Sequence, residues 1–257
     1  MSQADKNALF AGERPLLIAH RGYTPKAPEN TLASFRAAAQ LGFWAIETDV
    51  HRTLDGVLVC CHNHSLKKMY GADMKIEEHT WRELSSLHAI CGSEHGGIAP
   101  ELLRLPLFDE YLEICSAAGC VPFIETKGDV VAETLAAVER VGLTRRAVLS
   151  SATLEHLTEA RRLDREIFLH HIFTTDETLP RVAELGYCGV SYNYPLLDEV
   201  PAGLVRRVHE AGVLLCLRAG DSIADVRRMM DMGLDYIPTN KMTPAEIKNS
   251  APDTDCR

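Results

Sequence analysis

The sequence predicts an α/β protein whose architecture is a TIM (β/α)8 barrel with a small cap inserted after the second strand. Short apolar runs alternate with amphipathic helical patterns, the alternation repeats eight times, and 257 residues is a typical length for one such barrel. An open doubly wound sheet is the alternative, but no glycine-rich GxGxxG turn follows the first apolar run. We therefore expect a single domain over residues 1–257, with the insertion at approximately 64–105.

Eight short runs rich in apolar and β-branched residues predict the barrel strands. In chain order they are LLIAH (16–20), AIETDV (45–50), VPFIETK (121–127), AVLSS (147–151), IFLHHIF (167–173), CGVSYN (188–193), VLLCLR (213–218) and YIPTN (236–240). A ninth run, VLVCCHN (57–63), follows the second strand after the turn residues Asp55 and Gly56. This spacing predicts a hairpin partner for the second strand.

The segments between the strands have the apolar period of helices, and several of them stop at glycine, which is favoured just after a helix. These stops are Gly42, Gly142, Gly212 and Gly233. Asn30 precedes the first helical run and is predicted to cap it. Residues 64–110 are too many for one strand-to-helix loop. They predict an insertion with a helical piece at 80–87, followed by a barrel helix at 107–119.

Composition limits the classes of function. With 27 basic and 36 acidic residues, the formal net charge is −9, which argues against a binder of nucleic acid or of an anionic membrane. No apolar run approaches the ~18–20 residues of a membrane span. We therefore expect a small-molecule substrate, no nucleic-acid partner and no stable membrane insertion; nothing in the sequence indicates an oligomeric state.

The cysteines and the N-terminus bear on the compartment. There are eight cysteines and no CxxC pair, and Cys60, Cys188 and Cys216 fall in apolar strand-like runs. This pattern is typical of reduced core residues. The N-terminal segment MSQADKNALFAGERP has no apolar signal core. Both observations predict a cytoplasmic protein.

Polar side chains stand where the first strands of the barrel end, which is where such barrels gather reactive groups. They are His20, Arg21, Glu47, Asp49, His62, Glu125 and Lys127. Glu47 and Asp49 share one face of a strand because alternate residues point the same way. Three convergent carboxylates are costly unless a cation lies among them, and oxygen ligands suit Mg²⁺ or Ca²⁺. The alternative is that these acids form ion pairs with Arg21, Arg52 or Lys127.

A metal ion that faces Arg21 and Lys127 calls for an anionic substrate to bridge them, and a phosphate fits. His20 and His62 could then act on opposite sides of the phosphorus as general acid and general base. The residues alone therefore indicate metal-assisted chemistry on a phosphate ester.

The stretch IAHRGYTPKAPENTLASFRAAAQLGFWAIETDVHRTLDGVLVCCHNHSL resembles the N-terminal block of the glycerophosphodiester phosphodiesterase family. That family has HRG, PENT, E-x-D-V, DG and H-D-x-x-L in this order. RLPLFDEYLEIC, FIETK and the last two predicted strands resemble its later segments, so that the resemblance covers about residues 16–243.

The resemblance implies metal-dependent hydrolysis of a phosphodiester to sn-glycerol 3-phosphate and an alcohol, on a TIM barrel with a small cap. It implies the metal ligands Glu47, Asp49 and Glu125, the acid–base pair His20 and His62, and the phosphate-binding pair Arg21 and Lys127. The implied cofactor is one divalent cation, Mg²⁺ or Ca²⁺.

The sequence departs from the family pattern at three places. Asn63 stands where the family has an aspartate after the second histidine, and Asn240 stands where it has an aspartate after the eighth strand. Arg218 begins the segment Arg-Ala-Gly-Asp, which replaces the W-T-V-N of many members. We expect Arg218 to face the site and to favour a substrate with a second anionic group or a polyol. The alternative is that Arg218 pairs with Asp221.

Three other functions remain open from sequence. A phospholipase-D-like lyase that releases a cyclic phosphate would use the same residues. A zinc-type barrel hydrolase would use histidine pairs such as His62 with His64 and His170 with His171. A degenerate binding protein would hold a phosphodiester without turnover, which the intact acids and histidines argue against.

Overall fold

A computed structural model of the protein describes residues 9–12, 14–90 and 95–250. Most of the N-terminal stretch used to argue against a signal sequence lies outside these residues. The nine strands are β1 (Leu17–Ala19), β2 (Ala45–Arg52), β3 (Leu58–Cys60), β4 (Val121–Thr126), β5 (Val148–Ser151), β6 (Phe168–His171), β7 (Cys188–Ser191), β8 (Leu214–Cys216) and β9 (Ile237–Thr239).

Eight of the strands form one parallel sheet in the order β8-β7-β6-β5-β4-β2-β1-β9. The two ends of this order approach each other, because Gly220 N donates to Pro238 O at 2.8 Å and Asp235 N donates to Leu215 O at 3.0 Å. β3 pairs antiparallel with β2. The predicted barrel and its hairpin are therefore confirmed.

Helices alternate with the strands. They are α1 (Leu32–Gln40), α2 (Lys67–Tyr70), α3 (Trp81–Leu84), α4 (Phe108–Ala118), α5 (Val131–Arg140), α6 (Leu154–Leu163), α7 (Leu179–Leu185), α8 (Leu204–Glu210), α9 (Ile223–Asp231) and α10 (Pro244–Asn249). None of these helices is long and apolar enough to span a membrane. Gly42, Gly142, Gly212 and Gly233 all have positive φ just after their helices, as their positions in the sequence indicated.

The predicted cap of the first barrel helix is wrong by one residue. Thr31 caps α1: its hydroxyl accepts the Ser34 N–H at 3.1 Å, and the Ser34 hydroxyl accepts the Thr31 N–H in return. Asn30 has φ 51°, and its side chain points into the barrel instead. Asparagine tolerates this left-handed conformation better than most residues.

The segment after the hairpin contains α2 and α3 and has a small core of its own. The apolar side chains of that core are Val59, Cys61, Leu66, Tyr70, Ile76, Leu84, Ala89 and Leu105. The main core lies between the barrel strands and the surrounding helices. The six cysteines within the described residues, which include Cys60, Cys188 and Cys216, are buried and free, as expected of reduced core residues.

Gly189 on β7 makes room inside the barrel for Tyr236. A Cβ at Gly189 would overlap the Tyr236 hydroxyl and lie 3.2 Å from the Leu214 carbonyl oxygen. Because overpacking of this kind costs about 1–3 kcal/mol, we expect Gly189→Ala to lower the free energy of unfolding by that amount in urea. In a Tyr236→Phe background the same substitution should cost less, because the overlapping hydroxyl is gone. An equal cost in both backgrounds would contradict this explanation.

Candidate active site

Three carboxylates converge at the carboxyl ends of β2 and β4. Glu47 and Asp49 lie on one face of β2, and Asp49 is paired in register with Glu125 of β4. One oxygen from each of the three acids lies within 4.8 Å of the others. Glu47 and Asp49 are buried, and Glu125 is partly exposed. The sequence-predicted set is therefore brought together in one place.

The electrostatics of these acids favour an added positive charge. Burial, followed by repulsion from Asp49 and Glu125, raises the pKa of Glu47 well above its ordinary value. Burial and the charge of Asp49 raise the pKa of Glu125 in the same way. Glu47 and Glu125 thus resist ionisation beside their neighbours, and a divalent cation among the acids would reverse that effect.

Asn30 fixes the orientation of Asp49. Its side-chain amide donates to Asp49 Oδ2 at 3.0 Å, and its carbonyl oxygen accepts from the Thr48 hydroxyl at 2.7 Å. Asp49 Oδ1 is buried without a hydrogen bond, although Lys127 Nζ lies at an ion-pair distance of 3.0 Å from it. A metal ion held by the acids would share this oxygen with Lys127. Sequence reasoning assigned Asn30 to the helix and missed this contact.

Two cations border the acids. The Arg21 main-chain N–H donates to Glu47 Oε2 at 2.7 Å, and its guanidinium donates to Glu29 at 3.1 Å. Lys127 Nζ donates to Glu125 Oε1. Burial alone would lower the pKa of Lys127, but the carboxylates of Asp49 and Glu125 raise it overall.

The ion pairs that the alternative interpretation expected are thus present for Arg21 and Lys127, whereas Arg52 pairs with Glu133 instead. Arg21 and Lys127 can balance only two of the four acids Glu29, Glu47, Asp49 and Glu125, so full ionisation of all four requires further positive charge. A metal ion would supply that charge, and carboxylate oxygens suit a hard ion such as Mg²⁺ or Ca²⁺.

The Nδ1 atoms of His20 and His62 each lie within hydrogen-bond distance of an asparagine side-chain oxygen. His20 Nδ1 lies 2.7 Å from Asn240 Oδ1, and the Asn240 amide donates to Asp221 Oδ2 at 2.8 Å. Because the carboxylate fixes which way this amide points, His20 Nδ1 is the donor and Nε2 is left for substrate. His62 Nδ1 lies 2.9 Å from Asn63 Oδ1. Two of the three places at which the sequence departs from the family pattern, Asn63 and Asn240, are thus the partners of the two histidines.

A cavity of about 350 Å³ opens over this arrangement. His20, His62, Arg21, Glu47, Glu125, Lys127 and Arg218 all line it, together with apolar and hydroxyl side chains such as Phe123 and Ser150. Larger concavities of about 760 and 950 Å³ lie elsewhere on the surface, but none of the strand-end acids or of these histidines lines them.

Arg218 contributes a free donor to the same cavity. Its Nε is buried without a hydrogen-bond partner, and its Nη1 donates only weakly to the Ala219 carbonyl, at 3.3 Å. Asp221, the alternative partner of Arg218, instead accepts from Asn240 and Thr239. The Arg218 side chain thus lines the cavity and does not pair with Asp221 through its Nε.

The histidine pairs of the zinc-type alternative do not converge on a common point in the cavity. His62 lines it, whereas His64 is exposed and bonded to Glu77. His170 Nδ1 lies 2.6 Å from the Tyr236 hydroxyl, and His171 Nδ1 lies 2.7 Å from the Thr174 hydroxyl. These contacts are typical of structural histidines.

Comparison with known proteins agrees with the geometry. Residues 20–243 match the model of the glycerophosphoryl diester phosphodiesterase family. A glycerophosphodiester phosphodiesterase of Caldanaerobacter subterraneus subsp. tengcongensis is 27% identical over 88% of this chain and 94% of its own length.

Solved structures agree as well. An Oleispira antarctica phosphodiesterase in complex with the product sn-glycerol-3-phosphate is 26% identical, with a TM-score of 0.78 over 91% of this chain and 96% of its own. A glycerophosphodiester phosphodiesterase from Parabacteroides distasonis is 25% identical, with a TM-score of 0.75 over 91% of this chain and 94% of its own. The chain therefore belongs to the glycerophosphoryl diester phosphodiesterase family, whose members are enzymes that hydrolyse glycerophosphodiesters.

Proposed function

We propose that this protein hydrolyses glycerophosphodiesters to sn-glycerol 3-phosphate and an alcohol, with one divalent cation held by Glu47, Asp49 and Glu125. The observation that carries the proposal is the approach of one oxygen from each acid to within 4.8 Å of the others, beside a cavity whose lining includes Glu47, Glu125, His20, His62, Arg21 and Lys127. The product complex of the Oleispira antarctica relative supports the choice of product. Mg²⁺ and Ca²⁺ both suit the oxygen ligands.

The cation would supply charge neutralisation at the phosphate oxygens. Arg21 and Lys127 bind the nonbridging oxygens and orient the diester along the cavity. His20 presents Nε2 to the nucleophile and removes its proton. Burial, and next the nearby charge of Arg21, lower the pKa of His20, which keeps the ring neutral and suits it to this role as a base. His62 on the opposite side donates a proton to the departing alkoxide.

Product analysis tests this assignment directly. After incubation with glycerophosphocholine and Mg²⁺ or Ca²⁺, phosphorus NMR should detect sn-glycerol 3-phosphate and no accumulating cyclic phosphate. Accumulation of a cyclic phosphate would indicate the lyase reaction, and binding without turnover would indicate a degenerate binding protein. Either outcome would contradict the hydrolase proposal.

Arg218 is proposed to select the alcohol. Its unpartnered Nε would donate to a second anionic group or to a polyol. A hydrogen bond from a charged group contributes about 1.5–3 kcal/mol, so Arg218→Trp should lower kcat/KM for glycerophosphoinositol or glycerophosphoglycerol by roughly 10–100-fold relative to glycerophosphocholine. The exposed Arg206 offers the control substitution Arg206→Trp. An unchanged headgroup preference in Arg218→Trp would refute the role.

We also propose a reducing, cytoplasmic setting and a role in lipid and glycerol metabolism. The cysteines in the described residues are all unpaired and buried, which supports a compartment without disulfide formation. The proposed product and alcohols are the components of deacylated phospholipids, which supports the metabolic role.

A further inference from the structure

A second group of ligand-type side chains lies beside the cavity, and nothing in the proposed reaction uses it. His51 Nδ1 is 3.0 Å from Glu77 Oε1, and His64 Nδ1 is 2.5 Å from the same oxygen. One donor atom from each of the three residues lies within 4.8 Å of the others. Two imidazole nitrogens and a carboxylate oxygen thus face one point.

The surroundings of His51 favour a cation at that point. Its side chain is fully buried, and its Nε2 faces the main-chain carbonyl of His62 at 3.5 Å. A neutral imidazole has one N–H, so it can donate either to this carbonyl or to Glu77, but not to both. A metal ion bound to His51 Nδ1 and to the Glu77 carboxylate removes this conflict. The single N–H of the ring then lies on Nε2 and is donated to the His62 carbonyl. Metal-bound histidines usually donate their second N–H in this way.

The rest of the cluster gives the ion a path from solvent. The side chains of His64 and Glu77 are 62% and 41% exposed, in contrast to that of His51. Both line a surface cavity of about 360 Å³, whose wall also includes Lys127. The cluster therefore has one fixed inner ligand and two ligands that an incoming ion can reach.

The donor set differs from that of the three acids. Two imidazoles with one carboxylate suit Zn²⁺ and similar transition-metal ions, whereas all-oxygen sites suit Mg²⁺ and Ca²⁺. His51 belongs to the barrel strand β2, while His64 and Glu77 belong to the segment after the hairpin. An ion shared by them would join that segment to the barrel next to His62.

We propose that His51, His64 and Glu77 form a second metal site, selective for a zinc-class transition-metal ion, that fastens the cap to the barrel. The site is independent of the proposed hydrolysis. It requires no change in the acids of the cavity and is expected to bind zinc while those acids hold Mg²⁺.

Two measurements on the full-length protein, after its metal ions have been stripped, test the proposal. Calorimetry in excess Mg²⁺ measures zinc binding, and thermal unfolding measures its effect on stability. The wild type should bind one Zn²⁺ per chain and unfold at a higher temperature with zinc. Loss of a group that only hydrogen-bonds to a metal ligand typically weakens metal binding 10–100-fold. His64→Ala and Glu77→Gln remove the ligands themselves, so each should weaken zinc binding at least about 100-fold. His88→Ala, an exposed histidine outside the cluster, should bind zinc normally.

Glu47→Gln separates the two sites, because it alters the acids and leaves the cluster intact. Zinc binding should persist in this variant, and its loss there would mean that zinc occupies the acidic site and would overturn the proposal. Unchanged zinc affinity in both His64→Ala and Glu77→Gln, or no zinc binding by the wild type, would also overturn it. Hydrolysis with Mg²⁺, measured in parallel, reports on the proposed function separately.

Discussion

Glu47→Gln should lower kcat/KM for glycerophosphodiesters by at least about 100–1000-fold, the range found when one strong electrostatic contact to a transition state is lost. The amide is neutral and is a poorer ligand for a hard cation than the carboxylate. Its oxygen can still accept the Arg21 main-chain N–H, which Glu47 Oε2 now accepts at 2.7 Å. The substitution should therefore lower activity without preventing folding. Glu113→Gln, on an exposed face of α4, is the matched control.

The same substitution should stabilise the protein when metal ions have been removed. The pKa of Glu47 is raised in the folded state, so the acid ionises more readily in the unfolded chain. Ionised Glu47 therefore lowers the free energy of unfolding. This cost is absent at low pH, begins as the pH rises through the ordinary pKa near 4.5, and is complete above the raised pKa. Each pKa unit of elevation corresponds to about 1.4 kcal/mol.

Urea unfolding at neutral pH distinguishes the two interpretations of the acids. If they form a metal site, metal-free Glu47→Gln should be more stable than the metal-free wild type, and added Mg²⁺ or Ca²⁺ should stabilise only the wild type strongly. If they are structural ion pairs, Glu47→Gln should be less stable and the cations should have little effect. The second pattern would refute the metal site.

His20→Ala should lower kcat by about 10²–10⁴-fold, the usual contribution of a general acid or base. The choice of substrate reveals which role is lost. A p-nitrophenolate leaving group departs without help from an acid, so bis(p-nitrophenyl) phosphate should largely restore the rate of His62→Ala but not that of His20→Ala. Restoration of His20→Ala instead would reverse the two roles.

The pH profile gives a second readout for His20. Burial, and next the charge of Arg21, lower its pKa, so the neutral base should persist below the ordinary value near 6.5 and the acid limb of kcat/KM should lie below that pH. Asn240→Asp places a carboxylate against Nδ1, 2.7 Å away in the native contact. This charge should raise the pKa of His20 and move the acid limb to higher pH. An unmoved limb would mean that another group sets it.

The sequence was sufficient for the barrel and for the approach of the acids to one another. Strand alternation places Glu47 and Asp49 on one face, and the shared edge of parallel strands brings Glu125 to them. These are consequences of regular geometry that a pattern can encode. The insertion after the hairpin was a prediction of a similar kind, because one connection of a barrel needs far fewer residues than this segment has.

The contacts that orient the side chains of the site could not be predicted from the sequence. Asn30 looks like a helix cap in sequence, since capping depends on a local pattern, but its partner Asp49 is 19 residues away and is reached only after β2 pairs with its neighbours. The link from Asp221 through Asn240 to His20 spans the closure of the barrel. Glu77 approaches His51 only through the irregular fold of the cap, where no period relates one residue to another.

The most direct test of the metal site is a crystal structure with Mn²⁺ as a substitute for Mg²⁺ and with sn-glycerol 3-phosphate present. The account predicts an anomalous peak for Mn²⁺ at bonding distance from oxygens of Glu47, Asp49 and Glu125. The phosphate should contact the Mn²⁺ ion and lie within hydrogen-bond distance of both His20 and His62. No peak among these acids, or a phosphate bound away from both imidazoles, would contradict it.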